Sequence, residues 1–292
     1  MCSRLWATGF TMQRPEVGGL RSRGRWPPPA GPRVALVGSR KPSPYGEAVA
    51  EQLSSDLAAA GVIVISGLAL GIDAAAHRGA LNGGGTTVAV MGTGVDLVYP
   101  AAHSRLAEDI LASGGALVSQ FADGTQPRRA NFPARNWTMA ALSDAVVVVE
   151  AAEGSGALIT AQAALELDRE VLAVPGSIFS PLSVGAHGLI RDGAGLVQNA
   201  RDVLAALGVG LEVLDDPLKP PAGIGFEPAR ARDGLLIHLS EAMAVSAAEL
   251  ARKVQLPVAE VVGRLTSLEL EGAVRRHAGG YVKALRRRGG RA

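Results

Sequence analysis

Cysteine is nearly absent from this chain of 292 residues, and its scarcity excludes two classes of protein. Cys2 is the single cysteine, so the chain can form no internal disulfide and supplies no set of thiolates for zinc. None of the five histidines stands at a spacing typical of metal-ligating pairs. The sequence therefore predicts neither a disulfide-stabilised secreted domain nor a metal site, and it gives no sign of a cofactor.

Long apolar runs are also missing. The longest, around Val146–Val149, lies between Asp144 and Glu150, and it is far shorter than the roughly 18–20 residues that cross a bilayer. The N-terminus has Arg4 but no apolar stretch followed by a cleavage site. We therefore expect a cytoplasmic protein with no membrane segment.

Aromatic residues make up only 4% of the chain, and the formal net charge is only +2. Aliphatic side chains dominate the apolar residues instead, a balance that suits parallel strands buried under helices better than an aromatic-rich β-sandwich. The small net charge identifies no partner, because a protein that binds nucleic acid needs clustered basic groups rather than an excess of them.

Short apolar runs within residues 33–207 alternate with stretches of helical periodicity such as Gly46–Ala60 and Ile159–Leu167. Buried strands alternating with helices predict βαβ units, and hence an α/β fold with a doubly wound, mostly parallel sheet. The predicted strands are Val34–Val37, Val62–Ile65, Thr87–Met91, Ala116–Val118, Ala145–Val149 and Val171–Val174.

The flanking segments differ from this domain in composition. Residues 1–32 have no apolar period and contain Trp26-Pro27-Pro28-Pro29, so we interpret them as a tail and linker, the remnant of a longer N-terminal region. Residues 208–231 are rich in proline and are predicted to be a second linker. A small domain over 232–285 and a basic tail over 286–292 complete the chain.

The small domain has the pattern of a winged helix-turn-helix. Predicted helices at about 232–240, Ser246–Val254 and Val258–Leu270 precede two short strands around Gly279-Gly280. Ser246 and the glutamate three residues later form a capping box at the start of the second helix.

The third of these helices is acidic, with Glu260, Glu269 and Glu271 against Arg264 alone. An acidic helix is repelled by the major groove, which argues against a transcriptional regulator that works through this domain. We expect the domain to contact protein, and to touch DNA at most through the basic tail.

Four loops that follow predicted strands are small and hydroxyl-rich and lead into predicted helices, and one of them, Gly92–Asp96, ends in Tyr99-Pro100. Backbone N–H groups and the positive end of a helix dipole make such loops receptive to phosphate, and all of them lie at the carboxyl edge of a parallel sheet. Tight βα turns are the alternative explanation for each loop taken singly. The candidate phosphate contacts are Gly38, Ser39 and Arg40; Ser66 and Gly67; and Ser155 and Gly156.

A basic and aromatic segment, Pro127–Trp137, is the most informative part of the sequence. Arginine grips phosphate bidentately and an aromatic face stacks on an unpaired base, so the mixture is typical of single-stranded nucleic-acid binding. Phe132 and Trp137 could instead be core residues of the following helix. The candidate contacts are Arg128, Arg129, Phe132, Arg135 and Asn136.

No set of residues points to catalysis, so we predict a binding protein rather than an enzyme. Asp73, Asp96 and Glu150 end predicted strands or begin helices, where they could bind a sugar hydroxyl or cap a helix. His77 follows Asp73 by four residues on a predicted helix, a spacing that could orient its imidazole, but we predict that His77 makes a structural hydrogen bond instead. A nucleotide-processing enzyme with a Rossmann-type fold remains the alternative, although the dinucleotide and P-loop glycine motifs are absent.

Several ordered motifs resemble the DNA-processing protein A (DprA/Smf) family across about residues 33–207. The resemblance implies an extended Rossmann-like domain that binds single-stranded DNA, forms a homodimer and loads the RecA recombinase during natural transformation. The motifs are Val34–Arg40 with Tyr45-Gly46, Ser66–Ala69 through His77, Phe132–Asn136, Ser155–Ala161, Val174–Ser177 and Leu189-Ile190.

The resemblance also assigns roles to residues. Gly38, Ser39 and Arg40 would form a phosphate pocket, Arg129 would be a basic DNA contact, and Phe132 would contact a base. The family often has arginine where this chain has Leu70 and Trp137, so we expect somewhat weaker and less salt-dependent binding. The family's usual N-terminal helical domain has no counterpart in residues 1–32.

Overall fold

The computed structural model divides into two units, Met1–Pro217 and Leu218–Ala292. An eight-stranded sheet forms the centre of the first unit. The structure describes residues 19–209, 235, 238–239, 244–270, 273–277 and 280–283. The strands of the first unit are β1 (Arg21–Gly24), β2 (Arg33–Val37), β3 (Ile63–Ser66), β4 (Thr87–Val90), β5 (Ala116–Ser119), β6 (Ala145–Val148), β7 (Glu170–Ala173) and β8 (Gly195–Leu196).

Helices alternate with these strands as the sequence predicts, and the α/β fold is confirmed. Ser43 caps the first helix by accepting the backbone N–H of Gly46, and Pro44 occupies its first turn, where a missing N–H costs nothing. The helices are α1 (Pro44–Ala59), α2 (Ile72–Asn82), α3 (Ser104–Ala112), α4 (Asn131–Ala141), α5 (Gly156–Glu166), α6 (Val184–Arg191) and α7 (Ala200–Ala206).

The strand order is β1-β5-β4-β3-β2-β6-β7-β8. From β2 the chain adds β3, β4 and β5 on one side and then returns to add β6, β7 and β8 on the other. The order therefore reverses between β2 and β6, which pair in parallel with Val34 opposite Ala145. In open α/β sheets, ligands bind in the crevice that such a reversal opens at the carboxyl ends of the strands.

The core consists of two aliphatic layers, one on each face of the sheet. In β2, Ala35 and Val37 belong to one layer, while Val34 and Leu36 belong to the other. Burying a valine or leucine side chain completely contributes about 1.5–3 kcal/mol, so two-sided burial explains why these strands are continuous apolar runs.

Strand β1 departs from the sequence prediction, which placed residues 1–32 in a tail and linker. Its four residues are exposed, and it pairs antiparallel with β5, with Arg21 opposite Ser119. Backbone hydrogen bonds rather than apolar side chains hold it in the sheet, so hydrophobic patterning gave no signal for it. Residues 1–18 of the same predicted segment lie outside the described residues.

The described residues of the second unit form two helices followed by a β-hairpin, in the order predicted. These are α8 (Ala247–Val254), α9 (Val258–Leu270), β9 (Val274–His277) and β10 (Gly280–Lys283). The Ser246 hydroxyl accepts the backbone N–H of Glu249 at 3.2 Å, as the capping box predicts, and Leu250, Val261 and Leu265 are buried in the core of the unit. The linker, the basic tail and most of the helix predicted at 232–240 fall outside the described residues.

Every helix among the described residues is too short or too polar to span a bilayer.

Candidate nucleic-acid interface

Arg40 and Phe132 meet at the carboxyl edge of the sheet. Arg40 follows β2 and is exposed, whereas Phe132 lies in the first turn of α4 and is half-buried. The guanidinium carbon of Arg40 lies 5.2 Å from the centroid of the Phe132 ring, within the range of a cation–π interaction. The fold thus joins a residue from each of two predicted binding segments into one Arg40–Phe132 pair.

The Phe132 ring is held by residues that were not among the predicted contacts. An ideal Cβ on Gly92, at the end of β4, would lie 3.0 Å from the ring, so glycine lets the ring lie directly on the backbone. The side-chain amide of Asn131 donates to the Gly92 carbonyl at 3.0 Å. The exposed Tyr99 ring lies 6.0 Å from the Phe132 ring at an angle of 43°, which adds a second aromatic surface.

Cations surround the Arg40–Phe132 pair. Arg40, Lys41, Arg128 and Arg129 are all exposed, the first two after β2 and the other two in the loop that leads into α4. Among the residues that the structure describes, none of these four makes an ion pair. Their positive charge is therefore available to an anionic ligand. Lys41 was not among the predicted contacts, although it adjoins Arg40.

Gly38 and Ser39 shape the loop that carries Arg40. An ideal Cβ on Gly38 would lie 2.7 Å from the Ile72 side chain and 2.9 Å from the Glu150 carbonyl oxygen, so only glycine fits there. The Ser39 N–H donates to the same Glu150 carbonyl at 2.7 Å, and the Ser39 hydroxyl accepts the Lys41 N–H at 3.1 Å. Both residues therefore hold the loop in one conformation beside the exposed cations.

Glu150 joins the end of β6 to the start of α1. Its carboxylate is buried and accepts both the Ser43 hydroxyl at 2.5 Å and the Ser43 N–H at 2.8 Å. An ideal Cβ on Gly46 would collide with the same carboxylate. Burial, and then the negative charge of Glu150, raise the pKa of Tyr45, whose hydroxyl donates to the Pro175 carbonyl at 2.9 Å. Both oxygens of Glu150 are thus engaged in holding the loops together.

Arg135 does not lie where a direct DNA contact requires. It is only 3% exposed, and its guanidinium donates to the carbonyl of Gly67 and, at 2.7 Å, to that of Val90. Burial lowers the pKa of Arg135, and the nearby carboxylate of Asp73 opposes that effect. Since a buried guanidinium cannot reach the phosphate of a bound strand, we reassign Arg135 as a structural brace beneath the interface.

Asn136, Ser66 and Gly67 are engaged inside the protein as well. The Asn136 side chain is 9% exposed and donates to the Gly156 carbonyl at 3.0 Å. The buried Ser66 hydroxyl donates to the Leu36 carbonyl at 2.7 Å, and the Gly67 N–H donates to the Asp73 carboxylate at 3.1 Å. Each of the three has a hydrogen-bond partner inside the protein, and direct DNA contacts from them stay a prediction.

Ser155 and Gly156 keep an accessible position at the start of α5. Ser155 caps the helix, accepting the Ala157 N–H at 3.4 Å, and Gly156 is exposed, with nothing within 4 Å of an ideal Cβ. This helix N-terminus lies after β6, next to the loop that follows β2. It therefore remains a candidate phosphate contact, beside the Arg40–Phe132 pair.

The two departures from the family pattern differ in location. Trp137 is 7% exposed and belongs to the core, as the alternative reading of this residue held. Leu70 is 49% exposed, in the loop between β3 and α2. The expected loss of a surface cation therefore applies to Leu70 and not to Trp137.

His77 makes a structural hydrogen bond, as predicted. Its Nδ1 lies 2.7 Å from the Thr87 hydroxyl, which itself donates to the Val64 carbonyl, so Nδ1 carries the proton and donates. Burial, reinforced by the charges of His103 and Arg135, lowers the pKa of His77 to about 3. Within the described ranges, no group of histidine, cysteine or acidic side chains could hold a metal ion.

Sequence comparison associates both units with one family. Residues 13–208 match the family described as DNA recombination-mediator protein A, and residues 219–280 match the DprA winged helix domain. Protein Smf of Escherichia coli strain K12 is 42% identical over 262 residues, which are 87% of this chain and 68% of that protein.

The DNA processing protein DprA of Streptococcus pneumoniae is 47% identical over 178 residues, which are 60% of this chain and 61% of that protein. This chain thus spans 61–68% of the length of these two relatives.

Solved structures show the same similarity. The crystal structure of DNA processing protein A from Streptococcus pneumoniae is 46% identical, with a TM-score of 0.56, and the match covers 60% of this chain and 61% of that one. The Helicobacter pylori protein, whose structure concerns its unique single-stranded DNA binding mode, is 29% identical with a TM-score of 0.55. That match covers 60% of this chain and 80% of the other.

Proposed function

This chain belongs to the DNA recombination-mediator protein A family, and from that premise we propose that it binds single-stranded DNA and loads the RecA recombinase onto it during natural transformation. The proposal includes a homodimer in the cytoplasm and a binding role without catalysis. The solved structure of the Helicobacter pylori relative, which concerns single-stranded DNA binding, supports the choice of ligand.

The Arg40–Phe132 pair is the observation that carries the proposal. An unpaired base offers a free π-face, whereas the bases of a duplex are already stacked on their neighbours. Stacking a base on an aromatic side chain contributes about 1–3 kcal/mol, and the adjacent guanidinium of Arg40 can grip a phosphate. A half-buried ring beside an exposed cation therefore favours a single strand over a duplex.

The surrounding cations predict how the binding responds to salt. For a single strand, each neutralised phosphate contributes roughly 0.7 to the slope of log affinity against log salt. If Arg40, Lys41, Arg128 and Arg129 each contact one phosphate, the slope is about −3. A slope near zero would mean that these charges do not contact the strand.

The carboxylates near the crevice support a binding role over catalysis. Asp73 accepts the backbone N–H groups of Gly67 and Ala69, and Glu150 accepts two hydrogen bonds from Ser43. A general base needs a free carboxylate near its substrate, and these two already hold loops in place. Turnover of a small nucleotide by the purified protein would favour the enzyme alternative.

Fluorescence anisotropy of labelled oligo-dT, compared with a duplex of equal length across a salt series, tests the proposal. We expect tight, salt-sensitive preference for the single strand. The double variant Arg40→Glu/Arg129→Glu should abolish it without changing the circular dichroism spectrum, since both side chains are exposed.

The matched control is Arg191→Glu/Arg252→Glu, which makes the same charge change at two exposed arginines elsewhere. Undiminished affinity in a folded Arg40→Glu/Arg129→Glu protein would refute the assigned interface, and a preference for duplex would refute the function.

RecA loading and dimerisation need separate measurements. The rate at which RecA assembles on single-stranded DNA should rise when the protein is added, and Arg40→Glu/Arg129→Glu should remove that rise. Light scattering should give twice the mass of one chain for the wild type. If the rate of RecA assembly does not change when the protein is added, the RecA-loading part of the proposal is refuted and only DNA binding is left.

The second unit is proposed to bind protein rather than duplex DNA. On α9, Val258 is 49% exposed and Val262 is 36% exposed, and Glu260 forms an ion pair with Arg264 at 2.7 Å. An apolar and acidic surface is unfavourable in the major groove. Specific binding of duplex by the isolated wild-type chain would contradict this assignment.

A further inference from the structure

Strand β1 and the residue after it carry three exposed arginines at alternate positions: Arg21, Arg23 and Arg25, here called the β1 arginines. Residues two apart in a strand lie about 6.8 Å from each other, and Arg21 and Arg23 share one face of the sheet. Such a spacing is suited to the phosphates of an extended single strand. The β1 arginines have no part in the Arg40–Phe132 pair.

One end of β1 lies beside the candidate interface. Because β1 is antiparallel to β5, Arg21 lies opposite Ser119, at the carboxyl end of β5, and Gly24 lies opposite Ala116. The Arg21 guanidinium is 3.9 Å from the Asp123 carboxylate, in the loop that continues to Arg128 and Arg129. A strand that leaves these two arginines would therefore next meet β1.

The farther β1 arginines are free to bind an anion. Arg23 and Arg25 are exposed and form no ion pair with any residue that the structure describes. Arg23 lies opposite Leu117 in the register of β1 with β5, and Leu117 packs with Ala107 and Ile110 of α3. Since directly paired residues share a face, Arg23 lies on the face of the sheet that α3 covers, where it is nevertheless exposed.

We propose that Arg23 and Arg25 form a second phosphate-binding subsite, which extends the path of a single strand from the Arg128 and Arg129 loop along the outer edge of the sheet. This inference rests on the proposed single-strand binding and adds the course of the strand to it. Short oligonucleotides occupy the Arg40–Phe132 pair alone, and longer ones reach the β1 arginines.

A different explanation is that the β1 arginines protect an edge strand. Charged side chains on a sheet edge prevent pairing with other chains, and this role requires no ligand. The two explanations differ in one measurable respect, because edge protection leaves DNA affinity unchanged at every oligonucleotide length.

The two explanations are separated by measuring the affinity and the salt slope for oligo-dT of about 6 and about 20 nucleotides. These lengths bracket the roughly 4–16 nucleotides that single-strand sites span. The variant Arg23→Gln/Arg25→Gln should bind the short oligonucleotide as the wild type does. For the long one it should lose about tenfold in affinity at low salt and about 1.4 in slope, roughly 0.7 for each lost phosphate contact.

The control Arg191→Gln/Arg252→Gln removes two exposed arginines elsewhere and should match the wild type with both lengths. Equal affinity and slope of Arg23→Gln/Arg25→Gln and the wild type with the long oligonucleotide would overturn the subsite and leave edge protection. Failure of the wild type to bind either oligonucleotide would instead refute the proposed function.

Discussion

Arg40 and Arg135 are two arginines at the same edge of the sheet with opposite environments. Arg40 is exposed and lies over the Phe132 ring, while Arg135 is 3% exposed and donates to two backbone carbonyls. Burial raises the pKa of Asp73, and the positive charges of Arg135 and Arg40 both oppose that rise. The comparison separates a surface that can receive a ligand from the buried network that supports it.

The buried network is costly to disturb, because its members have no access to water. Replacing Arg135 removes the guanidinium that donates to the Gly67 and Val90 carbonyls, and it leaves Arg40 as the remaining arginine that lowers the pKa of Asp73. An exposed side chain such as Arg40 is already in contact with water, so its substitution leaves no buried group without a partner. Stability measurements should therefore distinguish the two arginines clearly.

The largest effect is expected for Arg135→Met. Methionine cannot donate to the two carbonyls or oppose the charge of Asp73, and each buried polar group left without a partner costs about 1–3 kcal/mol, so the free energy of unfolding should fall by about 3–5 kcal/mol in urea titrations. Arg40→Gln should change it by no more than about 0.5 kcal/mol, since surface substitutions are usually that small. Similar losses from both variants would mean that Arg40 is also part of the buried network.

A smaller effect is expected for Gly67→Ala. The added methyl group would collide with the Arg135 guanidinium, and overpacking typically costs about 1–3 kcal/mol. Gly156→Ala is the matched control at the exposed start of α5, where nothing lies within 4 Å of the new carbon. If Gly67→Ala is as stable as the wild type, the guanidinium moves freely and the brace is looser than its contacts indicate.

The smallest effect concerns pH and extends the comparison to His77, buried near Arg135. The pKa of His77 is about 3 in the folded state and about 6.5 in the unfolded state, so the unfolded chain binds the proton first as the pH falls. Stability is therefore lost progressively below about pH 6.5, by about 1–2 kcal/mol between pH 7 and pH 5.

Urea titrations of the wild type and His77→Asn at both pH values isolate this contribution. The asparagine amide can replace the Nδ1 donor to Thr87 but does not titrate, so the variant should lose less stability on acidification. An equal loss in both proteins would assign the pH dependence to other groups.

Much of the fold could be predicted from the sequence, because buried parallel strands are apolar on both faces. The observed β2 and β6, Arg33–Val37 and Ala145–Val148, differ from the predicted runs by one residue at one end. Strand β1 could not be predicted, since its exposed residues give no apolar pattern and its place depends on backbone hydrogen bonds to a strand far along the chain.

The candidate site was predictable in part, for a related reason. Residue type identified Arg40 and Phe132, and the fold brings them together. Residue type could not distinguish Arg129 from Arg135, because that difference depends on where α4 begins: Arg135 and Met139 are both buried, one turn apart on the helix. Gly92 and Tyr99 belong to a loop that the sequence marked as receptive to phosphate, but their contacts with the Phe132 ring depend on the fold and could not be predicted.

The bond between Ser43 and Glu150 has a consequence for the order in which the protein is made. The two residues are 107 positions apart, and the N-terminal one leaves the ribosome long before its partner. A nascent chain that stops short of Glu150 holds Arg40 and Phe132 but lacks the carboxylate that fixes the loop before α1. Because such distant contacts form late, the surface is completed only when β6 pairs with β2.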